Sequence, residues 1–457
     1  MAETFTVSAP PTRILVVGGG YVGMYTALRL QRKLSRAEAQ ITVVDPRSYM
    51  TYQPFLPEAA AGNIEPRHVV VPLRRVLGHC HVITGEVTSV DPGRRVAVAR
   101  TDGGEEILLP YDHLVMAPGS VPRTLPIPGL AEVGVGFKRV EEAIYLRNHV
   151  IDQLDVAAST HDKDLRARAL SFVFVGGGYA GIEALGEIED MAEYATRYYE
   201  NIEPADLRFV LVEATGRVLP EVSEDMGVYT VEELRSRGID VRLETRLESC
   251  VDGQVRLSDG TEFASNTVVW TAGVKPHPLL GNTGLPLDER GRLRATAELE
   301  VVDMPGHWTA GDCAAVPDLT KPEGGFTGPS AQHAVRQAKR LADNLAATLR
   351  GQARKPYRHA YAGSVASLGL YEGVADVYGI KVRGFPAWLM HRSYHLSRVP
   401  TFNRKVRVLA DWTGALFFRR EVVSLGAFAD PRHEFQAYAV RPQPAASMSG
   451  PGEGRGQ

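Results

Sequence analysis

The stretch Gly18-Gly19-Gly20-Tyr21-Val22-Gly23 recurs almost unchanged as Gly176-Gly177-Gly178-Tyr179-Ala180-Gly181. Each copy follows an apolar run and precedes a segment of helical character, which gives the order strand, glycine turn, helix. The first glycine permits a tight turn, the second lets a pyrophosphate approach the backbone, and the third lets helix and strand pack closely. These glycines are Gly18, Gly20 and Gly23 in the first copy and Gly176, Gly178 and Gly181 in the second. The repeat predicts two bound dinucleotides, an electron carrier and its donor.

An acidic residue follows each copy, at the end of the next apolar run. Asp45 lies 22 residues past Gly23, and Glu213 lies 32 residues past Gly181. A carboxylate at the carboxyl end of such a strand accepts hydrogen bonds from ribose hydroxyls. We attribute the longer second spacing to residues 186–199, which lengthen the helix by roughly two turns. Asp45 and Glu213 are therefore predicted to bind one ribose each.

The repeat continues beyond the glycine turns, with three short strands and a further apolar strand in each half. The predicted short strands are residues 82–90, 95–99 and 105–109 in the first half and residues 241–249, 254–257 and 262–264 in the second. The apolar strands that follow lead to Gly119, 101 residues after Gly18, and to Gly273, 97 residues after Gly176. We therefore expect an α/β fold with two Rossmann-like dinucleotide-binding domains, each with an inserted three-stranded meander.

A third signal lies in an apolar strand that ends at Gly311-Asp312. A loop rich in glycine and proline follows at residues 322–329, and a helix is predicted from Ser330 to about Leu349. Ser330 can cap this helix, whose amino end carries a partial positive charge.

The composition is that of an ordinary globular protein, with 457 residues, 44% of them hydrophobic, and a formal net charge of −3. Residues 1–12 lack the basic and apolar regions of a secretory signal, and no stretch reaches the roughly 18 apolar residues of a spanning helix. The three cysteines form no Cys-x-x-Cys pair, so we expect neither a metal site nor a redox dithiol. We also expect no nucleic-acid partner.

Residues 351–441 carry 14 Lys and Arg against 6 Asp and Glu, which indicates a surface that meets an anionic partner. Two helices are predicted there, one beginning near Pro386 and one over residues 405–418. The apolar residues of the second helix are Val406, Leu409, Ala410 and Phe417 on one face, with Trp412 and Phe418 beside it. We expect a C-terminal amphipathic helical membrane-docking segment. A helix pair that packs within the protein or forms a homodimer is the alternative.

Five motifs resemble those of the two-dinucleotide-binding-domain flavoproteins: GGGYVG, MAPGS, GGGYAG, WTAG and TAGDCA. Within them, residues 13–428 resemble the type II NADH dehydrogenases, the single-subunit NADH:quinone oxidoreductases. The resemblance implies that FAD binds the first half of the repeat and NADH the second. The implied FAD-binding residues are Gly18, Gly20, Gly23, Asp45, Gly119, Asp312 and Ala331, and the implied NADH-binding residues are Gly176, Gly178, Gly181, Glu213 and Gly273.

The segment Ala331-Gln332-His333-Ala334-Val335-Arg336 resembles the family's quinone-site motif, Ala-Gln-x-Ala-x-Gln. Gln332 has the first glutamine position, whereas Arg336 stands where the second glutamine is usual and Gln337 follows it, so either Arg336 or Gln337 replaces the second glutamine. Glu183 matches a family glutamate near the nicotinamide. The resemblance thus implies Glu183, Gln332 and Arg336 as catalytic residues. Four histidines, His307, His333, His391 and His395, are expected to be structural or surface residues.

The resemblance implies FAD-dependent oxidation of NADH, with two-electron transfer to a membrane quinone (ubiquinone or menaquinone) and no proton pumping. Such an enzyme would lie on the cytoplasmic side of the cell membrane as a peripheral protein. Two alternatives stay open: a soluble NAD(P)H-dependent reductase of the ferredoxin or rubredoxin type, and a slow-turnover protein that senses flavin or nucleotide. The expected divisions are a flexible N-terminus at 1–12, an FAD-binding domain at 13–165 and 290–350, an NADH-binding domain at 166–289, the docking segment at 351–441 and a disordered tail at 442–457.

Overall fold

The computed structural model describes residues 10–359, 363–418 and 420–425. Most of the predicted flexible N-terminus and the whole predicted tail at 442–457 lie outside these residues. Strands and helices follow one another largely as the sequence predicts, and the α/β fold with two Rossmann-like domains is confirmed.

The elements are numbered in chain order. The strands of the first part are β1 Thr12–Val17, β2 Ala39–Asp45, β3 Tyr49–Thr51, β4 Val70–Pro72, β5 His81–Asp91, β6 Val96–Thr101, β7 Glu106–Pro110, β8 His113–Met116, β9 Ser120–Pro122 and β10 Gly134–Gly136. The later strands are β11 Ser171–Val175, β12 Arg208–Val212, β13 Asp240–Arg242, β14 Leu247–Ser249, β15 Gln254–Leu257, β16 Glu262–Ala264, β17 Thr267–Trp270, β18 Val274–Pro276, β19 Leu293–Arg294, β20 His307–Thr309, β21 Ala314–Ala315, β22 Gly363–Gly369, β23 Glu372–Val377 and β24 Ile380–Arg383. The α-helices are α1 Tyr21–Lys33, α2 Leu56–Ala60, α3 Leu73–Val76, α4 Leu130–Val133, α5 Val140–Ser159, α6 Lys163–Ala169, α7 Tyr179–Ala195, α8 Glu224–Ser236, α9 Ala331–Leu349, α10 Gly384–Arg398 and α11 Phe402–Phe417.

The first sheet has the strand order β20-β8-β1-β2-β5-β6-β7. Its first five strands are parallel, and Ile14 of β1 lies opposite Ile41 of β2 and His113 of β8. Parallel strands are covered on both faces, which explains why β1 is an apolar run whose residues 14–17 are all buried. The long strand β5 leaves the parallel part of the sheet and continues as the first strand of the antiparallel meander.

The second sheet, β10-β17-β11-β12-β13, is entirely parallel. Its meander, β14-β15-β16, forms a separate antiparallel sheet. The prediction of one strand over residues 241–249 is therefore wrong. The chain divides into β13 and β14 around Glu244, whose φ of 52° is a left-handed conformation that a regular strand does not adopt.

Two segments lie outside the domain in which the sequence boundaries place them. Strand β10 falls within residues 13–165, yet it pairs with β17 of the second sheet. Leu279, Leu280 and Leu285 fall within residues 166–289, yet they pack in an apolar cluster with residues of the first sheet. Strands β9 and β18, which pair with each other, carry the chain from one sheet to the other and back. In the structure, the boundaries between the two domains lie at these two connections, β9 and β18.

A further antiparallel sheet, β22-β23-β24, was not predicted from the sequence, and it packs against α7 and α10. The two predicted C-terminal helices are present as α10 and α11. Trp412, which the sequence places beside the outward apolar face of α11, turns inward, and its ring centroid lies 5.7 Å from that of Phe55. Among the residues that the structure describes, no helix has both the length and the apolar character needed to cross a membrane.

Candidate active site

The first glycine turn joins β1 to α1. Gly18 has a φ of +96°, and a Cβ atom on Gly23 would stand 1.7 Å from the carbonyl oxygen of Gly18. Gly20 caps α1, and no other atom lies within 4 Å of the position that its Cβ would occupy. An anionic group can therefore approach the free N–H groups at the positive end of α1.

Asp45 ends β2 beside this turn. Its Oδ2 accepts a hydrogen bond from Gly19 N at 2.6 Å, and its Oδ1 accepts one from Arg47 N at 2.7 Å. Burial raises the pKa of Asp45, and the two backbone hydrogen bonds oppose the rise. The carboxyl group is thus fixed next to the turn, where it can meet the ribose of a dinucleotide.

The second glycine turn, between β11 and α7, repeats this geometry. Gly176 has a φ of +114°, and a Cβ on Gly181 would stand 1.9 Å from the carbonyl oxygen of Gly176. Open space again faces Gly178, the cap of α7. The second turn can therefore also receive a pyrophosphate at a helix amino end.

Glu213 follows β12 as the acid of the second half. Its Oε2 accepts a hydrogen bond from Gly177 N at 2.6 Å, and its Oε1 accepts one from Thr215 N at 2.8 Å. Arg217, a nearby cation that could meet a phosphate, donates to the carbonyl oxygen of Val222 at 2.6 Å. Its guanidinium is held against the backbone, so the carboxylate of Glu213 is the charge beside the ribose position.

Gly119 and Gly273 mark corresponding places in the two halves. Both have a left-handed φ, +73° and +95°, and no other atom lies within 4 Å of the position where a Cβ would stand. Each immediately precedes one of the paired strands β9 and β18. The strand ends of the two sheets therefore approach each other across these connections.

A chain of polar groups crosses between the domains at this place. Ser120 Oγ donates a hydrogen bond to Asp312 Oδ2 at 2.6 Å, and Lys138 Nζ donates to the carbonyl oxygen of Ser120 at 2.6 Å. Asp312 follows β20 of the first sheet, whereas Lys138 follows β10 of the second. Burial lowers the pKa of Lys138, and the charge of Asp312 opposes that shift. Asp312, one of the implied FAD-binding residues, therefore belongs to the junction of the two domains.

Helix α9 is capped by the side chain of Ser330, as the sequence predicts, and begins at Ala331. Gln332 Nε2 donates to the carbonyl oxygen of Gly363 at 3.1 Å. Arg336 donates to the backbone oxygen of Gln332 at 3.1 Å and to its Oε1 at 3.3 Å. The structure thus brings the two predicted acceptor-site residues into direct contact.

Gln337 has a different role from Arg336. It is completely buried, its Oε1 accepts a hydrogen bond from Gly311 N at 2.7 Å, and its Nε2 donates to Thr327 Oγ1 at 3.0 Å. Both ends of the amide are therefore occupied in holding the turn before Asp312. Arg336 retains the second position of the motif.

Glu183 lies in the interior, on α7. Its Oε1 accepts a hydrogen bond from Ser367 N at 3.2 Å and lies 3.0 Å from His391 Nε2. Burial raises the pKa of Glu183 to about 8 and lowers that of His391 to about 3, so at neutral pH a protonated acid lies beside a neutral imidazole. Ser367 and Gly363 both belong to β22, and this strand therefore connects Glu183 with Gln332.

Sequence analysis missed most of the interior around Glu183. His391, expected to be a structural or a surface residue, is buried there, and His395 Nδ1 lies 3.1 Å from the hydroxyl of Tyr52. Glu187, one turn further along α7, is fully buried as well. A signal was present, because Glu183 and Glu187 are four residues apart in the part of α7 where Ile182, Ala184, Leu185 and Ile188 are apolar.

The cysteines have no redox partner in the structure. Cys80, Cys250 and Cys313 are all free, and burial raises the pKa of Cys313 to about 11, so its thiol stays protonated. Among the described residues, no cluster of three or more His, Cys, Asp and Glu side chains could hold a metal ion. Trp270 is buried in the second domain, and its Nε1 donates to the carbonyl oxygen of Arg123 at 2.9 Å.

Each glycine turn forms, with the acid beside it, a cradle for one dinucleotide: Gly18, Gly20, Gly23 and Asp45 form the first, and Gly176, Gly178, Gly181 and Glu213 the second. Two such cradles that face a shared junction define a class of protein. A comparison with protein families agrees with this class. The family described as pyridine nucleotide-disulphide oxidoreductase matches residues 12–338. The chain therefore belongs to the pyridine nucleotide-disulphide oxidoreductases.

Relatives of similar sequence show which family within this class the chain belongs to. The chain is 30% identical to the type II NADH:quinone oxidoreductase of Staphylococcus aureus, over 83% of this chain and 93% of the relative. It is 29% identical to that of Mycobacterium tuberculosis, over 93% and 94% of the two chains. The protein is thus a member of the type II NADH:quinone oxidoreductase family, and the predicted resemblance is confirmed. NDH2 from Plasmodium falciparum in complex with NADH shares the fold, with a TM-score of 0.84, 16% identity, and coverage of 90% of this chain and 99% of that one.

Proposed function

We propose that this protein oxidises NADH and transfers two electrons, through bound FAD, to a membrane quinone. The observation that carries the proposal is the approach of both glycine-turn domains to one junction, bridged by Lys138, Ser120 and Asp312. A donor and a carrier bound in the two cradles would meet there. Relatives that cover most of the chain are named for this activity, which supports the proposal.

The first cradle fits FAD. The open face of Gly20 and the amino end of α1 would receive the pyrophosphate, and Asp45 would bind the adenosine ribose. Asp312, which accepts a hydrogen bond from Ser120 at the junction, and Ala331 would bind the ribityl chain and the ring. FAD supplies a two-electron carrier that accepts a hydride from a nicotinamide. The protein contributes the binding and the alignment of the two dinucleotides.

The second cradle fits NADH rather than NADPH. Glu213 would hydrogen-bond the ribose hydroxyls and repel a 2′-phosphate. Arg217 cannot offset this repulsion while it donates to the carbonyl oxygen of Val222. The second cradle would therefore select the unphosphorylated nucleotide.

Gln332, Arg336 and Glu183 would act on the acceptor. The amide of Gln332 can exchange its hydrogen bond with Gly363 for one to a quinone carbonyl, and the guanidinium of Arg336 can stabilise negative charge developing on that oxygen. Glu183 is protonated at neutral pH and can donate a proton to the reduced acceptor.

The C-terminal helices would dock the protein on the cytoplasmic face of the cell membrane. They expose large apolar side chains together with basic residues, a combination that suits an anionic headgroup region. The exposed apolar side chains are Phe385, Leu389, Phe402, Val406, Leu409, Leu416, Phe417 and Phe418. Arg392 does not belong to this surface, because its guanidinium is paired with Glu58 at 2.8 Å in the interior.

Docking can be tested by cosedimentation with vesicles that contain phosphatidylglycerol. Replacement of Leu416 and Phe417 by Ser should weaken binding at least fivefold, and salt should weaken it further because charge attraction is screened over about 8 Å. Leu108→Ser, on exposed strand β7, is the matched control and should leave binding unchanged. Equal binding by both variants would assign this surface to another partner.

The reaction is tested by anaerobic titration of the purified protein with NADH. Flavin absorbance should bleach and should then recover on addition of quinone in vesicles. Recovery with ferredoxin but not with quinone would indicate a soluble reductase instead, and bleaching without turnover would indicate a sensing protein. A protein with no flavin absorbance after reconstitution with FAD would contradict the proposal.

A further inference from the structure

Helix α7 carries three carboxyl groups along one face, two of them buried and one half-buried. Glu183, Glu187 and Asp190 follow the spacing i, i+4 and i+7, which aligns side chains along one side of a helix. Glu183 and Glu187 are buried, whereas the side chain of Asp190 is 22% exposed. Carboxylates are rarely buried completely, so this stripe requires a reason beyond packing.

Charged groups from four other segments face the stripe. Glu58 of α2 accepts hydrogen bonds from Arg392 at 2.8 Å and from Trp412 Nε1 at 2.6 Å. Arg392 and His391 come from α10, and Arg237, after α8, pairs with Asp190 at 3.1 Å. Arg420 donates to Asn63 Oδ1 at 3.0 Å, and Asn63 Nδ2 donates in turn to Glu187 Oε2 at 2.8 Å.

Several polar atoms in this interior have no hydrogen-bond partner among the described residues. They are Glu187 Oε1, Arg392 Nε, Arg420 NH1 and His391 Nδ1. Buried polar atoms almost always bond to protein or to ordered water. A group of such atoms around a fully buried carboxyl therefore indicates internal water.

We propose that Glu187 and Asp190, with this internal water, form a proton inlet that reloads Glu183 during quinone reduction. The inference rests on the proposed function. The overall reaction, NADH + H⁺ + quinone → NAD⁺ + quinol, takes one proton from solvent in each turnover. The O–H bond of Glu183 breaks as its proton passes to a quinone oxygen. A proton from Glu187 then restores Glu183, and solvent restores Glu187 from the end at Asp190.

The titration behaviour of the stripe agrees with this role. Burial raises the pKa of Asp190 to about 6, that of Glu187 to about 7 and that of Glu183 to about 8. Arg237 opposes the rise at Asp190, and Arg392 and Arg420 oppose it at Glu187. Burial thus favours the protonated form of all three carboxyl groups, as a path that carries protons to Glu183 requires.

Glu187→Gln tests the inlet, because a glutamine can still accept the hydrogen bond from Asn63. In stopped flow, NADH should bleach the flavin of this variant at the wild-type rate. Reoxidation by quinone should slow at least tenfold at pH 8, with a larger solvent deuterium isotope effect. Glu193→Gln, on the exposed side of the same helix, is the matched control and should behave as wild type.

Two further variants show whether the carboxyl groups themselves are needed. Asp190→Asn should slow quinone reoxidation two- to threefold, and Glu187→Asp, which retains a carboxyl group, should recover most of the rate lost in Glu187→Gln. The inlet is overturned if wild type reduces quinone and Glu187→Gln shows the same reoxidation rate, pH profile and isotope effect. It is also overturned if bleaching and reoxidation slow equally. A wild-type protein that never reduces quinone would instead contradict the proposed function.

Discussion

The two glycine turns share their backbone geometry but differ in how deeply each acid is enclosed. Asp45 is buried, and Leu73 packs so closely that a Cβ on Gly19 would stand 2.4 Å from its side chain. Glu213 is only half-buried and makes the equivalent hydrogen bond to Gly177. The same motif can therefore enclose one dinucleotide and leave another accessible, which matches a resident cofactor and an exchanging substrate.

The two cradles also differ at the ends that face the junction, where the first is again held more tightly than the second. Ser120, next to Gly119, is hydrogen-bonded to Asp312 and to Lys138. The corresponding residue after Gly273 is Val274, an apolar side chain that is 39% exposed. Polar groups fix the first cradle at this end, whereas Val274 cannot make an equivalent side-chain hydrogen bond in the second.

Replacement of the third glycine of each turn by alanine should produce the largest difference between the two cradles. Gly23→Ala should abolish FAD binding, because its Cβ would overlap the carbonyl oxygen of Gly18. Gly181→Ala should retain FAD and raise the KM for NADH at least tenfold. Flavin absorbance per chain and steady-state kinetics measure the two effects. Loss of FAD from both variants would show that the cradles are not independent.

Asp312→Ala should weaken FAD binding by at least tenfold, because a ribityl hydroxyl would lose a charged acceptor. Ser120→Ala should have a smaller effect, of about two- to fivefold, since it removes only the donor that orients Asp312. Val274→Ala, at the corresponding place in the second half, is the control. Fluorescence titration of the apoprotein with FAD gives the three affinities, and an equal loss in all three variants would contradict the assignment.

Glu213→Gln should reduce the preference for NADH over NADPH by about 10- to 100-fold, the size expected when a charged hydrogen bond is lost. Arg217→Ala should leave the preference unchanged, because the guanidinium is held by backbone oxygens. The ratio of kcat/KM for the two nucleotides measures the effect. A larger change with Arg217→Ala would make that arginine the selecting residue.

Substitutions of the acceptor-site residues Gln332 and Arg336 are expected to change only the quinone step, and by a small factor. Gln332→Ala should slow flavin reoxidation by quinone about three- to tenfold, while bleaching by NADH stays near the wild-type rate. Arg336→Gln restores the family motif and should change only the quinone step. Thr348→Ala, a change at a half-buried position near the far end of α9, controls for helix stability. Slower bleaching with normal reoxidation would place the acceptor elsewhere.

The sequence was most informative where a glycine or a cap has a fixed geometric role. The two turns, Asp45, Glu213 and the Ser330 cap all lie where local spacing predicts them. The domain boundaries stay a prediction where the chain crosses between sheets, since β10 and the segment around Leu279 pack against elements distant in sequence. A pattern of neighbouring residues in the sequence does not predict pairing with such distant elements.

The interior around Glu183 was hidden from sequence analysis for the same reason. His391 and Arg392 look like surface residues in a basic helix, and only tertiary packing brings them to Glu183 and Glu58. Gln337 and Arg336 were likewise indistinguishable until the hydrogen bonds of Gln337 to Gly311 and Thr327 were known.

The contrast between an enclosing and an accessible cradle is tested most directly by nucleotide retention. The protein is saturated with FAD and NAD⁺ and passed through a gel-filtration column, and both nucleotides are then quantified per chain after denaturation. We expect one FAD per chain and almost no NAD⁺. Loss of both nucleotides, or retention of both, would contradict the assignment of a resident cofactor to the first cradle and an exchanging substrate to the second.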